Sequence, residues 1–251
     1  MAKVNTTSEQ KGGTTLLLID VQNSFHPGGS LGIPTANDDA KKIVDLISSH
    51  GEKINRIVAT MDSHHKLHIA HPYFWMAGDD ESKQPDPFTI ISAADIEQGK
   101  WKPRPNIRIE AEELLNTNIF ENPDSVMTNG SFDLSKYALE YARRLEARGR
   151  FQICVWPEHC LIGSEGHNIV PTVRKAMDEW CVKTGGSIEW VMKGENLLTE
   201  MYSALAADVP VSKATSFNES LHKSLMKSDR LIVAGQAMSH CVNYTLRDMV
   251  E

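Results

Sequence analysis

Five short, continuously apolar runs constrain the fold of this chain more than any other feature of its sequence. They lack the strict alternation of apolar and polar residues that marks a strand with one wet face, so each is typical of a buried parallel strand. The runs are residues 14–20, 55–60, 151–156, 188–192 and 230–235. Helical stretches lie between them at residues 35–51, 134–149, 171–183 and 216–227. This alternation predicts a three-layer α/β/α fold around a mostly parallel sheet of five or six strands.

The length of 251 residues is within the range of one domain, so we expect a single domain over residues 1–251. One segment, residues 76–134, departs from the strand–helix alternation. It is rich in proline and polar residues and is too long for an ordinary connection. We interpret it as an inserted excursion that acts as a lid over the site, with a disordered loop as the alternative.

Composition restricts the partners and the compartment that we expect for this chain. A formal net charge of -7 argues against a surface built for nucleic acid or anionic membranes. Neither a membrane-spanning run nor a secretory leader is evident, and the four cysteines do not resemble a disulfide framework. We therefore expect a cytoplasmic protein that acts on a small molecule, and the sequence leaves its oligomeric state open, a homo-oligomer included.

The carboxyl ends of the apolar runs carry residues with chemically useful side chains. Because parallel strands end at the same edge of a sheet, these residues are expected to lie close together. They are Asp20 after the first run, Asp62 and His64 after the second, Trp156 and His159 at and beyond the third, Lys193 after the fourth and Cys241 after the fifth.

Cys241 is the candidate nucleophile, because it opens the helix that follows the last run. Unpaired N–H groups and the helix dipole favour an anion there, so we expect a thiol pKa lowered from about 8.5 toward neutrality. Asp20 and Lys193 close apolar strands, where a buried charge needs a partner or a task. Together they would supply a base and a cation to the thiol. Alternatively, Cys241 is structural and the two charges only pair with each other.

A histidine-rich segment, "MDSHHKLHIAH", is the candidate metal site. The alternation of side chains at a strand end places Asp62 and His64 on the same side, where both can bind a cation. His159 is the natural third ligand, and the remaining coordination positions stay open for water or substrate. A solvated loop is the alternative, and it is reasonable for His65 and His71.

Five motifs in this order resemble the cysteine hydrolases of the isochorismatase-like superfamily, and within it the nicotinamidases, also called pyrazinamidases. The resemblance covers almost the whole chain apart from the excursion. The motifs are "LLLIDVQNSFHPGGSLGIP", "ATMDSHHKLH", "VWPEHCLIGSEGHNIVP", "VMKGENLLTEMYSAL" and "VAGQAMSHCV".

The resemblance implies the isochorismatase-like hydrolase fold and the conversion of nicotinamide, or a related small aromatic amide, to the acid and ammonia through a thioester. It implies the triad Cys241, Asp20 and Lys193, and an oxyanion hole made by the N–H groups of Ala237 and Cys241 after a cis peptide bond between Gln236 and Ala237. Phe25 and Trp156 would flank the substrate ring. One divalent metal ion, zinc with iron or manganese as alternatives, would be bound by Asp62, His64 and His159, with His68 as a further direct or water-bridged ligand.

Three departures from the family pattern keep alternatives open. Ser239 replaces the usual acidic residue and Met238 replaces a threonine, so the substrate could be a different small amide. The chain ends ten residues after Cys241, whereas family members continue through a further strand and helix, so we expect a shortened C-terminal end. A truncated, non-catalytic remnant of the fold is therefore the competing hypothesis. A papain-like pair of His240 with Cys241 is disfavoured, since adjacent helical residues point about 100° apart.

Overall fold

The structure, a computed structural model, describes residues 12–109 and 123–251, and its centre is a parallel β-sheet. The strands of these residues are β1 Thr14–Ile19, β2 Arg56–Asp62, β3 Trp75–Ala77, β4 Ile90–Ile91, β5 Trp101–Pro103, β6 Met127–Thr128, β7 Ser131–Phe132, β8 Ile153–Cys154, β9 Ile188–Lys193 and β10 Arg230–Gly235. The α-helices are α1 Ala36–His50, α2 Ala93–Glu97, α3 Leu134–Ala147, α4 Pro171–Thr184, α5 Glu219–Leu225 and α6 Cys241–Val250. The main sheet has the order β10-β1-β2-β9, and all three of its pairings are parallel.

Strand β1 shows why this sheet lies in the middle layer. Its side chains alternate between the two faces, and from Leu16 to Ile19 both faces are apolar and fully buried. Leu16 and Leu18 pack in one core cluster with residues of α1 and α4, while Leu17 and Ile19 pack in another with residues of α5 and α6. The expected three-layer α/β/α fold is confirmed.

The third apolar run is where the structure differs from the expected sheet. Only Ile153 and Cys154 of residues 151–156 are strand, and they pair antiparallel with β4 outside the main sheet. The following backbone N–H groups bond elsewhere: that of Val155 donates to Thr89 O and that of Trp156 to Ala70 O. Because these bonds go to loops instead of a central strand, the main sheet has four strands in the described residues, and the expectation of five or six is wrong there.

The described parts of the excursion, residues 76–109 and 123–134, are folded. They contain the short pairs β3–β5 and β6–β7, the strand β4 and the helix α2. Apolar residues of this segment share one core cluster with α3. Asp133 then begins α3, because its carboxylate accepts hydrogen bonds from the N–H groups of Ser135 and Lys136. A disordered loop is therefore wrong for these residues, while residues 110–122 of the excursion lie outside the described residues.

The longer helices lie where the sequence pattern predicts them, and α6 begins at Cys241 itself. Among the helices of the described residues, none has both the length and the apolar character needed to cross a membrane.

Candidate active site

The register of the sheet aligns the strand ends that carry the candidate site residues. Ile19 of β1 lies opposite Gly235 of β10, so Asp20 and the turn that leads to Cys241 leave the sheet side by side. Asp62, the last residue of β2, lies opposite Lys193, the last residue of β9. Parallel pairing therefore brings these groups to one edge of the sheet, as the sequence predicts.

Lys193 is the centre of this group of side chains. Its ammonium lies 3.0 Å from Asp20 Oδ2, 3.0 Å from Asp62 Oδ1 and 3.6 Å from Cys241 Sγ. It also donates a hydrogen bond to the Met201 carbonyl at 3.0 Å. The side chain is fully buried, so its charge is stabilised by these partners and not by water.

Asp20 is held in a defined position from two sides. The Thr60 hydroxyl donates to Asp20 Oδ1 at 2.5 Å, and the Asp20 N–H donates to the same hydroxyl at 3.1 Å. Asp20 also has a φ of 49°, a left-handed conformation that is uncommon for residues other than glycine and concentrates at functional sites. Its carboxylate thus faces Lys193 in an arrangement that burial and hydrogen bonds both maintain.

The protonation state of Cys241 differs from the expectation. Burial raises the pKa of the Cys241 thiol well above its ordinary value, and the charge of Lys193 only partly opposes this shift. The prediction of a thiolate preformed by the helix N-terminus is therefore wrong, because removal from water outweighs the favourable charges. Burial also raises the pKa of Asp20, again opposed by Lys193. The resting site therefore has a neutral thiol that needs a base.

The turn before the nucleophile has the backbone features that the sequence resemblance predicts. The peptide bond between Gln236 and Ala237 is cis. Gly235 precedes it with a φ of 137°, and a Cβ there would lie 1.9 Å from Ile19 O, so only glycine lets β10 approach β1 this closely. Within the described residues, the N–H groups of Ala237 and Cys241 have no hydrogen-bond acceptor. Two donors beside the thiol are thus free for a substrate oxygen.

The three predicted metal ligands converge beside this group. Asp62 Oδ2 lies 3.0 Å from His64 Nε2 and 3.2 Å from His159 Nε2. The other ring nitrogens are oriented by carbonyls, since His64 Nδ1 lies 3.0 Å from Gly194 O and His159 Nδ1 lies 2.8 Å from Pro157 O. The charge of Asp62 outweighs the effect of burial and raises the pKa of His64 to about 8.

Two further histidines belong to the cluster. The His64 ring centroid lies 4.3 Å from that of His68 and 5.1 Å from that of His71, and both added side chains are fully buried. The interpretation of His71 as a solvated loop residue is therefore wrong, while His65 is exposed as expected. Burial lowers the pKa of His71 to about 2 and that of His68 well below its ordinary value, so both rings are neutral.

The buried donors form two groups that could bind a metal ion. Within each group the donor atoms lie within 4.8 Å of one another. The groups are His64, His71 and His159, and His64, His68 and Glu200. Glu200 was not singled out from the sequence, although it lies in the quoted lysine motif, because nothing in that motif indicates that its carboxylate is buried.

A cavity of about 290 Å³ is lined by Cys241 and by two of the predicted metal ligands, Asp62 and His159. Phe25 and Trp156, the two predicted substrate-flanking residues, both line it. Two further aromatic side chains in its wall, Phe88 and Tyr202, were not singled out from the sequence. A third, His240, was considered there only as a papain-like partner of Cys241. Trp156 donates a hydrogen bond to the Tyr202 hydroxyl at 3.0 Å. The cavity therefore has an aromatic wall with the thiol and the candidate metal ligands beside it, which suits a small aromatic substrate.

Comparisons with known proteins find nicotinamidases among the proteins similar to this chain. No protein-family model matches the chain. The nicotinamidase of Escherichia coli is 25% identical over 240 residues, which cover 94% of this chain and 76% of the relative. The nicotinamidase of Saccharomyces cerevisiae is 26% identical over 233 residues, which cover 92% and 78%.

Solved structures with a fold similar to that of this chain also include nicotinamidases. The yeast nicotinamidase superposes with a TM-score of 0.54 at 22% identity, covering 92% of this chain and 79% of that chain. An Acinetobacter baumanii nicotinamidase pyrazinamidase also has a TM-score of 0.54, at 21% identity, covering 96% and 79%. These structures establish that the chain has the isochorismatase-like hydrolase fold. Together with the two curated relatives, they show that this chain is similar to nicotinamidases in sequence and in fold.

Proposed function

We propose that this chain is a metal-assisted cysteine amidohydrolase that converts nicotinamide, or a closely related small aromatic amide, to the acid and ammonia. The observation that carries the proposal is the position of the Lys193 ammonium, within 3.6 Å of the thiol and 3.0 Å of the Asp20 carboxylate. Nucleophile, base and cation thus lie together, and Cys241 lines the aromatic cavity. The curated relatives of this chain are nicotinamidases, which supports the choice of substrate.

The first half of the reaction follows from these side chains. Asp20 accepts the thiol proton, which the raised pKa values of both groups favour over a permanent thiolate. The sulfur attacks the amide carbonyl, and the N–H groups of Ala237 and Cys241 donate to the developing oxyanion. Lys193 stabilises the negative charge as it moves between Asp20 and Cys241. Asp20 then returns the proton to the leaving nitrogen, and ammonia departs from a thioester on Cys241.

The second half uses the same groups in reverse. Asp20 removes a proton from water as the water oxygen attacks the thioester carbonyl. The thiolate of Cys241 leaves, recovers that proton from Asp20, and the carboxylic acid is released. The oxyanion donors act in both steps. Asp20 carries out each proton transfer, so the triad and the turn supply every group that the two steps need.

The histidine cluster fits a divalent metal ion. The separations of 3.0 and 3.2 Å between Asp62 Oδ2 and the two Nε2 atoms are close to the roughly 3.3 Å between neighbouring ligands of a tetrahedral zinc site. Both ring nitrogens of buried His71 lack a hydrogen-bond partner within the described chain, which a protein rarely tolerates without a ligand. We propose Asp62, His64 and His159 as ligands of zinc, iron or manganese, with His71 and His68 as added donors. A bound cation would provide a Lewis-acid contact that orients the substrate's ring nitrogen.

Substrate choice is tested by the release of ammonia from a set of amides by the metal-loaded protein. We expect turnover of nicotinamide and pyrazinamide, which carry a ring nitrogen, and at least about a hundredfold lower kcat/KM for benzamide, which lacks one. Acetamide is the control for the contribution of the aromatic wall, because it has no ring to pack against that wall. If the folded, metal-loaded protein released no ammonia from any aromatic amide, the proposed function would be wrong and the non-catalytic remnant would be favoured.

Removal of the metal ion is expected to lower turnover of nicotinamide by about a hundredfold or more and to lower the melting temperature, since the ion binds only the folded state. Metal content and thermal melting are measured before and after chelation, and zinc, iron and manganese are added back separately. His71→Ala should reduce the metal content, whereas His65→Ala, on the exposed neighbour, should leave it unchanged. Full turnover by protein shown to be metal-free would contradict the metal-assisted reaction.

A further inference from the structure

Phe88 is the part of the cavity wall that comes from the excursion. Its ring lines the cavity that contains Cys241, yet the excursion supplies none of the proposed catalytic groups or metal ligands. The residue is 58% exposed, whereas Phe25 in the same wall is 6% exposed. A phenylalanine that lies at the rim of a cavity with more than half its surface in water retains apolar area that a bound substrate could cover.

The backbone at Phe88 favours a different residue type. Phe88 has a φ of 69°, and it follows Pro87 in a turn in which the Thr89 N–H donates to Asp86 O at 3.1 Å. Proline followed by a residue of positive φ is the pattern of a type II turn, where glycine or asparagine is usual at the second of these positions. Turn chemistry therefore does not explain a phenylalanine here.

The turn is fixed to the wall of the site. The Phe88 N–H donates to Val155 O at 2.5 Å, and the Val155 N–H donates to Thr89 O at 2.9 Å. Val155 directly precedes Trp156, so these two bonds join the excursion to the backbone that positions the Trp156 indole. The Phe88 ring then meets Trp156 edge to face, with centroids 5.9 Å apart and planes at 87°.

Trp156 meets a second ring at a right angle. This ring belongs to His240, the residue before Cys241, and its centroid lies 5.3 Å from that of Trp156 with an interplanar angle of 90°. The aromatic wall thus runs from the nucleophile turn through Trp156 to Phe88, and its outer end is the exposed ring of the excursion. A substrate ring lying against Trp156 would contact Phe88 at the mouth of the cavity.

We infer that Phe88 is a specificity-determining residue, whose ring closes the mouth of the cavity over the substrate and limits the size of the ring system that the site accepts. This inference rests on the proposed function for its substrate class. It gives the excursion a role in substrate selection, and it explains why a bulky residue occupies a turn position suited to glycine.

The test uses Phe88→Gly and Phe88→Asn, which remove the ring but suit the turn. We expect KM for nicotinamide to rise about tenfold, the value of one ring contact, while kcat stays within about threefold because no reacting group is lost. The ratio of kcat/KM for quinoline-3-carboxamide, a larger fused-ring amide, to that for nicotinamide should rise about tenfold. Both variants should melt at or above the temperature of the unchanged protein, since strain at φ 69° is relieved.

Phe217→Asn is the matched control, because Phe217 is 43% exposed and lies outside the lining of the cavity. It should change neither KM nor the preference between the two amides. Unchanged KM and unchanged preference in folded Phe88→Gly and Phe88→Asn would overturn the inference.

The binding of nicotinic acid, followed by tryptophan fluorescence or calorimetry, separates this inference from the proposed function. If the unchanged protein hydrolyses no amide, the proposed function is wrong. An approximately tenfold weaker binding of nicotinic acid by Phe88→Asn would still support a contact between Phe88 and the bound ring. Equal Kd values, or no binding of nicotinic acid to the unchanged protein, would overturn the role of Phe88.

Discussion

Replacing Cys241 with alanine is expected to lower turnover of nicotinamide by about ten-thousandfold or more, because no other group can form the acyl intermediate. The fold should be retained, since alanine fits the space of the buried thiol and begins a helix equally well. Cys241→Ser should be nearly as inactive, because Asp20 must then deprotonate a much less acidic hydroxyl. Ammonia release measures the loss, and circular dichroism measures the fold.

The control for this change is Cys181→Ala, on α4 and outside the lining of the cavity. It should leave turnover unchanged. Acid quenching of the unchanged enzyme during turnover, followed by mass spectrometry, should detect an acyl group on the peptide that contains Cys241. Turnover by Cys241→Ala close to that of the unchanged protein would show that the hydrolysis takes place without a covalent thioester.

Replacing Lys193 with methionine is expected to abolish turnover and to lower the free energy of unfolding by about 3–5 kcal/mol, the usual cost of leaving a buried charge without its partner. Two buried carboxylates, Asp20 and Asp62, each lose a cation at 3.0 Å. Methionine fills a similar volume, so the loss reflects charge and not a cavity. Urea unfolding and ammonia release measure the two effects separately.

The pH dependence of this stability loss has a definite sign. Burial already raises the pKa of Asp20 above its ordinary value, and loss of Lys193 removes the charge that opposes this shift. A carboxyl whose pKa is higher in the folded state binds more protons there, so its folded form is favoured below the unfolded pKa and loses stability as the pH rises. The deficit of Lys193→Met should therefore be smaller at acidic pH than at neutral pH.

Lys223→Met is the matched control, since Lys223 forms an exposed ion pair with Glu219 on α5. Its effect on the free energy of unfolding should stay below about 0.5 kcal/mol. Retained turnover and unchanged stability in Lys193→Met would contradict the central position of Lys193 in this site.

The excursion shows a limit of sequence-based prediction. Its prolines and its length indicated a departure from the strand–helix pattern, but they did not separate a folded insertion from a disordered loop. The described parts fold because short strands pair within the segment and with β8, and because its apolar residues pack on α3. The pairing with β8 and the packing on α3 involve partners elsewhere in the chain, so no local pattern in the segment predicts them.

The third apolar run illustrates the same limit in the sheet. Residues 151–156 have the composition of a central strand, yet only Ile153 and Cys154 pair, and they pair with the excursion. Apolar composition predicts that such a run is buried, and it is, at Ile153 and Val155. Composition does not determine which backbone segment forms hydrogen bonds with the run, because that depends on which segments lie beside it in the folded chain.

The order of residues along the chain is enough to predict which chemical groups end the buried strands: a thiol, carboxylates, an ammonium and imidazoles. Apolar runs and the polar residues that stop them are local features, so they can be read without the fold. Folding brings Lys193 into contact with both Asp20 and Asp62, buries His71 in the histidine cluster and raises the pKa of the Cys241 thiol. Those properties depend on burial and on partners distant along the chain, which fix the desolvation of each group and the charges that surround it.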